Sequence, residues 1–259
     1  MATKVFVVVA SRMDAMARTF ARRYGTRGVC LLTPADLSHP GWCYRPGDLD
    51  TAMAVIGGQR IAVRDITGVV TRLPSVSEYE IDHIAAVDRA YVAAEMQAFL
   101  LSWLTALRCP VLNRPTPPCL GGPAWCPAQW VKVAARLGMP VTTVHRHAMF
   151  SGKPATKRAP RPQGVTVTIV GQRVIGTVDP VLACQARALA TAAGVDLLAV
   201  RFSSRERGAA FVGAELWPNI AAAVVAHAVL DYFHVRATHG EHHDFPSRTA
   251  TGQPGTRGA

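Results

Sequence analysis

The chain has 259 residues, of which 49 % are apolar, so it has length and composition for a real core and wholesale disorder is excluded. Lys and Arg number 28 against 17 Asp and Glu, a formal net charge of +11. The excess is spread over "ARTFARRYGTR", "SGKPATKRAPRPQ", "RFSSRERG" and the carboxyl-terminal stretch, and only the Pro-rich second segment is dense, which makes nucleic acid an unlikely partner and suits anionic ligands equally well. No run approaches the ~20 apolar residues of a bilayer span. The opening "MATKVFVVVASR" reads as a first strand and not a signal peptide, so the expected location is the cytoplasm, without a membrane partner. Six cysteines are scattered, with no CxxC pair and no zinc-finger spacing, as expected of free thiols in a reducing compartment.

"KVFVVVA" (4–10) is a continuous Val-rich run of the kind a fully buried parallel strand shows. Met13, Met16, Ala17 and Phe20 follow at helical spacing, with Gly25 as a stop, and "GVCLLTPADL" is a second buried strand. This β-α-β order predicts a doubly wound sheet. Residues 52–66 carry two apolar runs around "GGQR", a hairpin. "TGVVTRLP" (67–74) is a further strand, ending in Arg72 where the carboxyl edge of a parallel sheet presents side chains to a crevice.

From Ser77 to Leu107 the apolar residues Ile84, Val87, Tyr91, Val92, Met96, Phe99, Leu100, Trp103 and Leu104 predict a long helix, with room for one short break. "CPVLNRP" (109–115) is a brief strand that places Asn113 and Arg114 at the same edge as Arg72, which makes these three the candidate ligand contacts. The Pro/Gly-rich "PTPPCLGGPAWCP" is a linker, and "AQWVKVAARLGMPV" a helix capped by Gly138.

"GVTVTIVGQRVIGTV" (164–178) alternates and turns at Gly171 and Gln172, a second hairpin. "DPVLACQARALATAAG" is a helix with Asp179 as N-cap, Pro180 at its first position and Gly194 as terminator. "VDLLAVRF" and "AAFVGAEL" are two strands, and "PNIAAAVVAHAVLDYFHVRA" a terminal helix. Residues 238–259 read as a disordered tail; its His239, His242, His243 and Asp244 are metal-binding residue types without a scaffold. Cys119, Cys126 and His145 have no spacing that supports a nucleophile–base pair.

The order of these pieces resembles the ATP-grasp ligases, in particular the peptide-modifying kind that includes microviridin ligases and ribosomal-protein glutamate ligases. The resemblance rests on "GVVTRLP", the long helix, "PVLNRP", the Pro/Gly loop and "AQWVKVAARLGMPVTTV", then "VTVTIVGQRVIG", "GVDLLAVRF" and "FVGAELWPNI", and it spans residues 1 to about 235. It implies an α/β fold: a doubly wound pre-ATP-grasp-like domain over 1–115, followed by a reduced ATP-grasp-like α+β part over 116–237.

The departures carry the functional expectation. The resemblance calls for two lysines that reach ATP phosphates; the first position falls in "WCPAQ", without a lysine, and Lys153 in "SGKP" is the candidate for what is left of the second. An acidic residue of the family is replaced by Arg201 in "LAVRF", placed to neutralise Glu215. Of the metal pair Glu215 remains, Trp217 stands where an Asn belongs, and Asn219 comes two positions late, so Glu215 and Asn219 are the candidate metal ligands. Magnesium wants near-ideal octahedral oxygen coordination, for which this is a poor set. Whether Glu215 faces solvent or the interior is left open by the strand pattern. The expectation is a catalytically reduced binding or accessory protein, with a peptide or a biosynthetic protein as partner. The alternatives are an active carboxylate–amine ligase, the case in which ATP and magnesium are required, and a basic nucleic-acid-binding module.

Overall fold

The computed structural model describes residues 4–141 and 164–239. Val5–Val9 forms β1, and its neighbours are β2 (Val29–Leu32) on one side and β6 (Ile66–Thr71) on the other, with β7 (Val111–Leu112) beyond β6. All three pairings are parallel. The unbroken Val run follows from burial on both faces: Val5, Val7 and Val9 point into one core, and Phe6, Val8 and Ala10 into another. Helix α1 (Ala15–Tyr24) crosses between β1 and β2, with the Asp14 carboxylate accepting from the amides of Met16 and Ala17 as an N-cap.

The hairpin expected over 52–66 forms part of a three-stranded antiparallel sheet, β3 (Cys43–Arg45), β4 (Asp48–Ile56) and β5 (Gln59–Ala62), turning at Gly57 and Gly58. Alternation on β3 is too short to register in sequence. Helix α2 is shorter than the apolar stripe suggests, running from Arg89 to Ala106. The preceding segment, from Ser77, has one tight turn over Glu78–Glu80 and is tied down by tertiary bonds: Ser11 Oγ and the Arg12 amide donate to the Glu80 carboxylate, and Arg12 pairs with Asp82 at 2.8 Å. Those side chains compete with the helix for the segment's conformation.

Helix α3 (Pro127–Arg136) leads through Pro140, whose carbonyl accepts from the Phe211 amide at 2.7 Å, to the edge of a second main sheet. That sheet is antiparallel, in the order β11 (Phe211–Glu215), β10 (Leu197–Phe202), β8 (Val165–Val170), β9 (Arg173–Ile175). Helix α4 (Pro180–Ala193) covers one face, with Asp179 as N-cap and Gly194 in the left-handed conformation that ends it. Val167, Ile169, Leu198, Val200 and Phe202 point toward α4 and α3.

Helix α5 runs from Ala223 to His239, into the segment expected as tail. It is the bridge between the two sheets: Phe233 stacks on Phe6 of β1 at 5.6 Å between ring centroids, and the same core takes in Val170 of β8 and Leu197 of β10. The last helix of the second part thus packs on the first sheet. Lys153, His145 and residues 240–259, with His242, His243 and Asp244, lie outside the described residues.

Candidate functional site

Arg72, after β6, reaches the Pro218 carbonyl, and Asn113, after β7, reaches the Leu216 carbonyl, so both side chains run to the turn that leaves β11. What they hold is protein. Arg72 Nε donates to Asp14 Oδ2 at 2.7 Å and Nη1 to the Pro218 carbonyl at 2.7 Å, with only 6 % of the side chain exposed. Burial works against the Asp14 charge, yet the Arg72 guanidinium and the Ala17 and Met16 amides outweigh it and keep the carboxyl below its ordinary value.

Asn113 is buried, at a φ of +60°, a conformation that Asn tolerates better than most residues. Its Nδ2 donates to the Leu197 carbonyl at 2.7 Å, and its Oδ1 accepts from the Leu197 amide at 3.0 Å. These are the bonds a peptide group of an adjacent strand would make. β11 pairs with β10 only as far as Ala199 and Glu215, and the Asn113 carboxamide takes over the ladder at Leu197. Arg114 turns the other way, donating to the carbonyls of Thr105, Leu107 and Cys109 at 3.4 Å each, where α2 ends. The side chains of Arg72, Asn113 and Arg114 are therefore committed to backbone and carboxylate partners within the fold.

A different surface is formed by the face of the second sheet that α4 does not cover. Pairing across three strands sets two rows: Thr168, Ala199 and Glu215, then Thr166, Arg201 and Gly213. Thr168 and Ala199 are buried, Arg201 is half-buried, and Thr166 and Glu215 are exposed. Glu215 therefore faces water. Arg201 and Glu215 sit diagonally on one face, but the expected ion pair is not among those formed by the described residues. Instead Arg201 lies across β11, with Nη2 3.3 Å from where a Cβ on Gly213 would be, and its buried Nε has no hydrogen-bond partner. Asn219 is exposed and its Oδ1 accepts from the Ala221 amide at 3.0 Å, a local turn bond. Trp217 buries its Nε1 without a partner against Gly121, where a Cβ would come within 2.9 Å of that nitrogen.

No family model and no curated protein matches the chain. Solved structures do. The macrocyclase MdnC from Microcystis aeruginosa, solved with its precursor peptide MdnA, superposes with a TM-score of 0.56 at 14 % identity, covering 88 % of this chain and 99 % of that one. The ATP-grasp ligase PsnB with a minimal precursor gives 0.60 at 11 % identity, covering 90 % and 98 %. A RiPP-associated ATP-grasp ligase from Chryseobacterium gregarium, in complex with ADP and a leader and core peptide, gives 0.52 at 11 % identity, covering 92 % and 95 %. The chain has the ATP-grasp ligase fold.

The magnesium ion that the sequence resemblance implies would be held on the open face of β8, β10 and β11, by Glu215 and Asn219. The residues present do not fit one. The face presents one carboxylate, Glu215, while Asn219 spends its oxygen on its own turn and the cationic Arg201 occupies the adjoining position. Among the described residues no three His, Cys, Asp or Glu side chains come together as a metal site. A hard dication needs several oxygen ligands, and a guanidinium beside them adds like-charge repulsion.

Two features around these residues were not singled out by the sequence pattern. Asp14 is the partner of Arg72, and its signal is an acidic N-cap directly after a buried strand. Gly213 gives Arg201 its room, and its signal is that 213 and 215 alternate onto the same face as a strand requires.

Proposed function

We propose that this protein is a catalytically reduced ATP-grasp-like protein that binds a peptide and serves as an accessory to peptide modification. The observation that carries the reading is Arg201, a fixed positive charge lying across Gly213 and diagonal to Glu215, on the sheet face where metal ligands would be needed. Phosphoryl transfer rests on positioned cations that neutralise charge spreading over phosphate oxygens, and a magnesium ion beside a guanidinium with one carboxylate in reach is poorly held. A peptide as partner is supported by MdnC and the Chryseobacterium gregarium ligase, both solved with peptides. A cytoplasmic location is supported by six cysteines that form no disulfide. Among the described residues no helix is long and apolar enough to cross a membrane.

The test is ADP release from Mg-ATP by the purified full-length chain with a panel of amino acids and peptides, beside a Glu215→Gln variant. The expected result is no turnover above background in either. Turnover in the wild type that Glu215→Gln abolishes would establish an active carboxylate–amine ligase instead.

A further inference from the structure

We propose that the outer face of α1 is a docking surface for an acidic polypeptide segment, which lies extended along a ridge of arginines. The inference rests on the reading that the protein binds a peptide partner, and it assigns to that partner a place and a charge.

Ala17, Phe20 and Tyr24 bury the inner side of α1, which turns Arg18, Arg22 and Arg23 outward, with Arg27 in the short turn that follows; all four are exposed. None of them belongs to an ion pair among the described residues. Arg23 donates to the Ala221 carbonyl at 3.0 Å, whereas the side chains of Arg18, Arg22 and Arg27 make no hydrogen bond there. Nor does the surrounding chain supply a counter-charge. From residue 1 to residue 35 the sole acid is Asp14, which is committed to Arg72 and to the start of α1. Helix α5 packs beside α1, with the His227 ring against Tyr24, and its one acid, Asp231, is paired with Arg173 at 2.6 Å. Arg18 and Arg22 are neighbours four positions apart, where like charges work against the helix. An anionic ligand along the ridge reverses that sign.

The same face selects the class of ligand. Side chains four apart on a helix are about 5–6 Å from each other, and alternate side chains of an extended chain recur about every 6.6 Å. Acids at every second position of a strand therefore reach successive arginines. Single-stranded nucleic acid would call for exposed rings on which bases stack, and the aromatic residues of α1, Phe20 and Tyr24, are buried. A membrane surface would call for an apolar face along the helix, and the exposed apolar side chains here, Met13 and Met16, are confined to its amino-terminal end. The ridge runs away from the Arg72 and Asp14 pair, since Arg22 lies about 12 Å further along the helix axis than Asp14.

The experiment is fluorescence anisotropy of the full chain with a labelled synthetic peptide of about ten residues alternating Glu and Thr, beside the same peptide with Gln for Glu, a short DNA duplex and phosphatidylglycerol vesicles. The Glu peptide is expected to bind, more weakly as salt is added, and the Gln peptide is not. Arg18→Glu and Arg22→Glu should each lose about fivefold in affinity. Arg205→Glu, an exposed arginine in the turn between β10 and β11 that carries the same change in net charge, should lose less than twofold. Each α1 variant turns a repelling pair into an Arg–Glu pair four apart, so its melting temperature should match or exceed that of the wild type. If either melts lower, Arg27→Glu, beyond the end of α1, is expected to show the same loss of affinity without that complication. No binding of the Glu peptide, or an equal loss in Arg205→Glu, overturns the docking surface. Wild-type affinity in the α1 variants overturns it too, while leaving peptide binding elsewhere on the protein intact. Tighter binding of the duplex or of the vesicles, lost in the α1 variants, would assign the ridge to that other class and overturn the peptide assignment. ATP turnover in the separate ADP-release assay would overturn the catalytically reduced function and leave this result standing.

Discussion

Arg72 and Asp14 form a buried ion pair at 2.7 Å, and the same Asp14 carboxylate caps helix α1 through the amides of Met16 and Ala17. One carboxylate thus joins the end of β6, the start of α1 and, through Arg72, the Pro218 carbonyl of the turn after β11. Arg72→Ala leaves that carboxylate without its cation and the Pro218 carbonyl without its donor. Loss of about 3 kcal/mol is expected, read as a lower urea midpoint, which is the scale for removing one partner of a buried pair.

The same pair predicts acid sensitivity. Asp14 titrates below its ordinary 3.8 in the folded protein, against the pull of burial and because of Arg72 and the two amides. The unfolded chain therefore takes up a proton first as pH falls, so the stabilisation is complete well above 3.8 and is lost below it, through the lowered native value. Melting temperature followed downward from neutral pH should decline less steeply in this range for Asp14→Asn than for the wild type. Parallel curves would mean that other carboxylates dominate acid unfolding.

Asn113→Ala is expected to destabilise by about 3 kcal/mol, because the amide and carbonyl of Leu197 both lose their partners in a buried position and each orphan costs about 1–3 kcal/mol. Asn113→Asp should do no better, since a carboxylate cannot donate to the Leu197 carbonyl. Chemical denaturation of the two variants measures this directly. A near-neutral Asn113→Ala would show that β10 finds another partner beyond the end of β11.

Gly68 on β6 faces the Phe233 ring so closely that an added Cβ would lie 2.4 Å from it. Gly68→Ala should therefore cost about 3 kcal/mol by overpacking, and Phe233→Leu combined with it should recover part of the loss. Additive losses in the double variant would separate the two positions energetically and contradict the packing of α5 on β6.

The cysteines offer a test without mutation. Burial pushes the Cys109 thiol up to about 12, and Cys119 is buried, whereas Cys43, Cys126 and Cys184 are exposed. At about pH 8, iodoacetamide should modify the exposed three well before Cys109 or Cys119, because only the thiolate attacks. Mass spectrometry of tryptic peptides reads the order, and early labelling of Cys109 would indicate local opening near the end of α2.

What the sequence determined by itself was whatever depends on neighbours along the chain. The Val run of β1, the Asp179, Pro180 and Gly194 signals around α4 and the glycine turns of the two hairpins mark their elements through local rules of burial, capping and backbone freedom, and their order was enough to point to the ATP-grasp fold. The partners of long side chains were decided only by tertiary structure. Arg72, Asn113 and Arg114 stand at strand ends, where polar residues can serve a ligand or the protein, and which they serve depends on groups such as Asp14 and Leu197 that sequence distance does not reveal. The start of α2 was also beyond local pattern, because Glu80 and Asp82 are held by Ser11 and Arg12, some seventy positions earlier in the chain. Arg201 shows both limits at once: its charge on the strand was legible, but its position across Gly213, apart from Glu215, required the register of β10 against β11, which is fixed by packing on the covered face.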